Sequence, residues 1–170
     1  NSCQTKFCWI GRDVPNKDLK TALTAFSKMK EFNNSVYFYI IGVNGISIPE
    51  KGIYYLGHVN DVSSTVSKLD IGVNIVTSHR EGFCMVILEL AALGIPTIST
   101  RLYGSQEIVK STAVESYTFK VLDVNELFYA MKKINMLSKT KYLELRKEVF
   151  AGSLKYKKDI ITNKFESKVL

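Results

Sequence analysis

At 170 residues the chain is long enough for one domain with a substantial core and too short for two comfortable ones. A hydrophobic share of 46% against 23% charged residues excludes a disordered chain, and no apolar run approaches the roughly 20 residues of a membrane span. The net charge of +7 is unevenly placed: Lys139 to Leu170 holds nine basic residues against Glu144, Glu148, Asp159 and Glu166, so five of the seven excess charges lie there.

The chain opens NSCQTKFCWIGRDV, without Met and without the basic start and apolar core of a signal peptide, as expected of a piece of a longer protein. Cys3, Cys8 and Cys84 are odd in number and have no Cys/His cluster at zinc spacing, which points to a reducing, cytoplasmic setting and to no metal site. Lys6 to Ile10 (KFCWI) reads as a strand. Lys17 to Glu31 follows as a helix, with Leu19, Ala22, Leu23, Phe26 and Met29 at helical spacing. Val36 to Gly42 (VYFYIIG) is a β-branched and aromatic run ending in glycine, and Gly52 to Gly57 (GIYYLG) is a shorter strand. A helix at Asp61 to Leu69, a strand at Asp70 to Val76 and an apolar helix within Ser78 to Leu90 come next. Ile95 to Thr100 reads as a strand, Ser105 to Lys110 as a short helix, the region near Tyr117 to Val121 as a strand and Asp123 to Leu137 as a helix. Lys141 to Lys168 reads as one or two further helices, a peripheral basic segment covering about 139–170.

Strands alternating with helices, each strand nearly continuously apolar, argue an α/β fold: one Rossmann-like parallel sheet with helices on both faces. Ligands of such sheets sit beyond the carboxyl ends of the strands. That rule selects the loops Gly11 to Lys17, Gly42 to Ile46, Gly57 to Asp61, Thr77 to Phe83 and Arg101 to Ser105.

In the first loop, GRDVPNKD, Arg12 and Lys17 stand at the two ends of a strand-to-helix turn. A cation in a first helical turn opposes the helix dipole, so Lys17 needs an anion to face; a diphosphate shared with Arg12 would serve. Two exposed basic side chains are the plainer alternative. No GxGxxG or phosphate-loop pattern follows the first strand. In SHREGFCMVILEL, Ser78 is a candidate helix cap, Gly82 permits close backbone approach, and Glu81 falls at or just before the helix start. Glu89 has only Met85, Val86, Ala92 and Leu93 as helical neighbours. A buried carboxylate without a partner costs several kcal/mol, so Glu89 either reaches solvent or is bonded from outside its helix. Eight residues of helix put Glu89 about 12 Å along and about 80° around from Glu81, suited to flanking one elongated ligand and not to a close acid–base dyad. Cys84 reads as a small packing residue ahead of a reactive thiol. His58 and His79, with no partner in view, read as incidental.

Taken together, GRDVPNK, YLGHVNDV, SHREGFCMVILELAALGIPTIST and YGSQEIV, in that order, resemble the C-terminal half of a family 4 retaining nucleotide-sugar glycosyltransferase. Such enzymes have the GT-B architecture of two facing Rossmann-like domains, with an E-x7-E signature matched by Glu81 and Glu89. The resemblance spans roughly Lys6 to Lys110. It implies that Arg12 and Lys17 hold the donor phosphates and that Glu81 contacts the transferred sugar. Gly82, Phe83, Cys84 and Met85 would face phosphates and sugar, Glu89 would bond the ribose, and His58 and Val59 would lie near the base, with Gly11 at the loop start. Asp18 stands where glycine is common after the Lys, Cys84 where glycine is usual, and Tyr103-Gly104-Ser105 replaces a more Gly-rich turn. The implied reaction is metal-independent transfer of a glycosyl group from a UDP-, GDP- or ADP-sugar to a hydroxyl of a glycan or lipid-linked acceptor. Polysaccharide, lipopolysaccharide or glycolipid synthesis in the cytoplasm is expected, with an N-terminal domain completing the enzyme and the basic tail able to meet an anionic inner membrane face. No nucleic-acid role is expected. A GT-B phosphorylase or nucleotide-sugar epimerase, and a non-catalytic Rossmann-like interaction module, are the alternatives.

Overall fold

The apolar runs do form strands, and they align in one direction. The computed structural model describes residues 5–82, 84–102 and 117–156. Within them β1 (Lys6–Ile10), β2 (Tyr37–Ile41), β3 (Ile53–Gly57), β4 (Val73–Val76), β5 (Thr97–Thr100) and β6 (Thr118–Phe119) make one sheet in the order β3-β2-β1-β4-β5-β6. Every pairing is parallel. The chain therefore winds outward from β1 to β3, then crosses back to place β4 on the other side of β1. In an open parallel sheet that reversal leaves a crevice between the two loops flanking it.

The helices are α1 (Leu19–Phe32), α2 (Val62–Lys68), α3 (Met85–Ala91), α4 (Val124–Asn135) and α5 (Lys139–Ser153). Alternation along β1 sends Phe7 and Trp9 to one side and Cys8 to the other, and two cores result. The larger joins Phe7, Trp9, Phe38, Ile40, Val73 and Ile75 to the apolar stripes of α1 (Ala22, Phe26, Met29) and α4 (Leu127, Met131, Ile134). Phe26 stacks on Phe38 with ring centroids 5.1 Å apart. The smaller joins Cys8 and Ile41 to Val66 of α2 and Leu90 of α3.

Element bounds are shorter than the periodicity suggests, mainly because capping residues read as part of the apolar run. The first helix starts at Leu19 and not at Lys17: Pro15–Lys17 form a separate 3-10 turn, and Asp18 caps α1 by accepting from the Thr21 amide at 3.2 Å. Lys17 is thus not a cation inside an α-helical turn. Among the described residues the final run forms α5, followed by a 3-10 turn at Leu154–Tyr156. The helix expected at Ser105 to Lys110, and the tail beyond residue 156, lie outside the described residues. Arg146 of α5 donates to the carbonyls of Gly94 (3.0 Å) and Leu93 (3.2 Å), placing a cation at the carboxyl end of α3 where the helix dipole favours one. No helix among the described residues is long and apolar enough to cross a membrane.

Candidate functional site

The crevice at the β1/β4 reversal is closed by side chains 64 residues apart in sequence. Lys17 Nζ, at the end of the 3-10 turn after β1, forms an ion pair with Glu81 Oε1 in the loop after β4. Ser78 Oγ donates to the same Oε1 at 2.8 Å. Oε2 accepts no hydrogen bond from the described residues and remains available to a ligand hydroxyl. Ser78 is therefore not a helix cap: it orients Glu81, while Cys84 occupies the N-cap position of α3 without a side-chain cap bond.

Several neutral hydrogen bonds tie the two loops. Thr77 Oγ1 accepts from the buried indole Nε1 of Trp9 at 2.9 Å and donates to the Lys17 carbonyl at 2.7 Å. Asn16 Nδ2 donates to the Arg80 carbonyl at 3.0 Å, and the His79 amide donates to the Asn16 carbonyl at 2.8 Å. Thr100 Oγ1 steadies the same loop from β5 by donating to the Ser78 carbonyl at 2.8 Å. Thr77 and Asn16 are absent from the candidates drawn from sequence because each acts across strands, where local pattern carries no signal.

His79 requires a correction: it faces Asp18, whose Oδ2 lies 3.0 Å from His79 Nε2, although neither atom is in a hydrogen bond among the described residues. The left-handed backbone of Asp18 (φ 49°, ψ 56°) is one that glycine adopts freely and that aspartate is among the few other residues to tolerate.

Arg12 is exposed and unpaired among the described residues, so its guanidinium is free for an anion. Gly11 follows β1 with its amide bonded to the Ile41 carbonyl at 3.0 Å. Gly82 is exposed, and a Cβ there would meet nothing within 4 Å. Phe83 lies outside the described residues. Because α3 begins at Met85, Glu81 is in the loop ahead of it, and a separation counted along one helix does not apply to the two carboxylates. Glu89 takes the solvent alternative: it is exposed on the same stripe of α3 as Met85, while Ile87, Leu90 and Ala91 face the core. His58 is exposed after β3 and Val59 is half-buried against the smaller core. Neither touches the Lys17–Glu81 pair, because β3 lies three strands from β4, about 14 Å across the sheet.

Cys84 is buried, at 4% exposure. Its thiol is pushed up to about 11 by burial first and by Glu81 second; the backbone N–H of Ile87, Lys17 and the backbone N–H of Val86 pull it back. Between its ordinary 9.0 and that value the unfolded thiol ionises while the folded one keeps its proton. The unfolded state then binds fewer protons, so stability falls as pH rises through this window, by up to about 1.4 kcal/mol per pH unit. Cys84→Ser is expected to remove that share of the alkaline loss, read as the change in urea midpoint between about pH 8 and pH 10.

The family described as glycosyl transferases group 1 matches the chain over residues 4–135. No curated protein sequence matches it. Among solved structures, a mutant of S. aureus TarM in complex with Fondaparinux, alpha-GlcNAc-glycerol and UDP superposes with a TM-score of 0.79 at 17% identity, over 96% of this chain and 35% of that one. An E. coli structure described as trehalose-6-phosphate bound with UDP-2-fluoro glucose superposes at 0.75 and 15% identity, over 96% of this chain and 43% of that one. A structure described as trehalose-6-phosphate synthase, OtsA, gives 0.69 and 15%, over 89% and 40%. The chain thus spans 35–43% of the length of these solved structures. At such identities the likeness is one of fold: the Rossmann-like sheet common to GT-B glycosyltransferases.

Proposed function

The chain belongs to the group 1 glycosyl transferases, and on that premise we propose that its β1/β4 crevice binds the diphosphate and sugar of a nucleotide-sugar donor. The observation that carries this reading is the Lys17–Glu81 contact at the sheet's reversal point, with the exposed Arg12 in the same loop after β1. When a donor enters, Lys17 Nζ exchanges Glu81 for a phosphate oxygen and Arg12 adds a second cation. Glu81, still held by Ser78, is then free to accept from a hydroxyl of the sugar. As the bond between the sugar carbon and the diphosphate oxygen breaks, negative charge grows on the leaving diphosphate. The two cations stabilise it there more than in the bound donor, which is what lowers the barrier. The glycosyl group passes to an acceptor hydroxyl with retention.

Glu89 and His58 with Val59 extend the site toward the nucleoside, and the strand order supports a donor laid along the carboxyl edge from β3 to β4. Glu89, exposed on an otherwise apolar stripe, gains its partner in the ribose hydroxyls. The chemistry needs no metal in this reading. A glycan or lipid-linked acceptor, and a second domain to hold it, are part of the same proposal, as are a cytoplasmic site of action and contact of the basic C-terminal segment with an anionic membrane surface.

Thermal shift of the chain with UDP, GDP, ADP and their common sugar conjugates tests this. A ligand specific for the native state adds about 2.7 kcal/mol at about 100 times its dissociation constant. One nucleotide is expected to stabilise the native chain, and Arg12→Ala and Glu89→Ala to lose that shift. Gly82→Val is expected to keep the unliganded melting point, because its added atoms enter open space, yet to abolish the shift by filling the ligand's place. No shift from any nucleotide with the native chain would remove the donor-site reading.

A further inference from the structure

Asp18 does more than its backbone requires. Its left-handed conformation suits glycine better than any other residue, so an aspartate there is favoured by what its carboxylate touches. Oδ1 caps α1 through the Thr21 amide, and Oδ2 faces His79 Nε2 at 3.0 Å. Both Oδ2 and Nε2 are shielded from solvent, and neither makes a hydrogen bond among the described residues, so the 3.0 Å contact is a close approach of two polar groups without hydrogen-bond alignment. Buried polar atoms without a hydrogen bond are costly, so two such atoms held face to face call for a role beyond local stability. The backbone at both ends is fixed: His79 by its amide on Asn16, Asp18 by its cap.

From this geometry we infer that His79 and Asp18 are a positioning pair for the donor site. The inference rests on the donor reading above and deepens it. Asp18 follows Lys17, and His79 precedes Glu81 by two residues, so the pair is a second contact between the loops beside the first. The Lys17–Glu81 tie has to open when Lys17 turns to a phosphate. The remaining links between the loops, through Asn16 and Thr77, are neutral hydrogen bonds. His79–Asp18 is the link with a carboxylate that persists in the liganded state. It keeps Lys17 and Glu81 on opposite sides of one diphosphate-sugar instead of letting the β4 loop drift from α1.

Asp18→Gly and Asp18→Asn separate this role from a merely conformational one. Both residues accept the left-handed backbone, but only asparagine keeps an oxygen for His79. Binding of UDP, GDP and ADP to the full chain is measured by calorimetry, with melting temperature as the control for folding. Asp18→Gly is expected to melt within a few degrees of the native chain and to bind the cognate nucleotide about tenfold more weakly, through the loss of one contact between the two loops. Asp18→Asn is expected to stay within about threefold of native. His79→Ala should show the same tenfold loss, and the Asp18→Gly/His79→Ala double variant should lose no more than either single one. Native-like binding by Asp18→Gly, or additive losses in the double variant, would overturn the pair while leaving the donor site standing. Absence of nucleotide binding by the native chain would overturn both.

Discussion

Lys17→Ala is expected to weaken nucleoside diphosphate binding by roughly two orders of magnitude, whereas Glu81→Gln leaves it intact or tightens it. The asymmetry follows from which partner the ligand replaces. Lys17 and Glu81 side chains are 31% and 13% exposed, so the carboxylate is the more deeply set of the two. Removing the lysine takes away one charge-assisted contact to the diphosphate, worth about 1.5–3 kcal/mol. It also leaves Glu81 as an uncompensated negative charge beside an anionic ligand. Removing the glutamate charge instead releases Lys17 from its partner, so the phosphate no longer competes for it. The gain disappears once the sugar is attached, because glutamine accepts a sugar hydroxyl less strongly than a carboxylate. Calorimetry with the nucleoside diphosphate and with its sugar conjugate therefore gives opposite orders for Glu81→Gln relative to native. Equal weakening by Lys17→Ala and Glu81→Gln, for both ligands, would show that the ion pair only holds the loops together.

Gly42→Ala is expected to destabilise the fold by about 2–5 kcal/mol, the largest effect of any single methyl group at this edge of the sheet. Gly42 has φ +93°, where an L side chain is strained whatever the space around it. A Cβ there would also sit 2.4 Å from the Gly11 carbonyl oxygen, a backbone atom that cannot swing aside. The Gly11 amide on the Ile41 carbonyl at 3.0 Å joins the ends of β1 and β2, and the Gly42 amide on the Gly57 carbonyl at 2.7 Å joins β2 to β3. Displacing Gly11 moves Arg12, so nucleotide binding should fall along with the urea midpoint. Gly82→Ala, placed in open space, is the matched control and is expected to change stability by no more than about 0.5 kcal/mol. A Gly42→Ala midpoint equal to native would mean that the strand ends can separate freely, and the crevice would lose its rigid wall.

Much of this architecture is legible in the residues alone. Short apolar runs and period-3.6 patterns are set by neighbours a few residues away, so each described strand and long helix can be read from them, with bounds off by a few residues where Asp18, Asp61 and Asp123 act as caps. The carboxyl-end loops follow from the alternation, and with them Arg12, Lys17, Glu81, Gly82 and Glu89 as candidates. Ser78 reads as a cap although it is not one, because a hydroxyl before a helix looks the same whether it bonds an amide or a carboxylate three residues on. His79 reads as incidental because the carboxylate it faces lies across the crevice.

By itself, then, the sequence determined the α/β class, the order of elements and the loops that carry the charges, since all of these depend on hydrophobic spacing within one turn or one strand. Tertiary structure alone decided that β4 lies against β1 and not beyond β3, which brings Lys17 to Glu81 and Asp18 to His79 from distant parts of the chain. It also decided which face of α3 turns to solvent and frees Glu89. Strand order is fixed by how whole helices cover the two faces of the sheet, a balance of buried surface over the entire chain that no local window records.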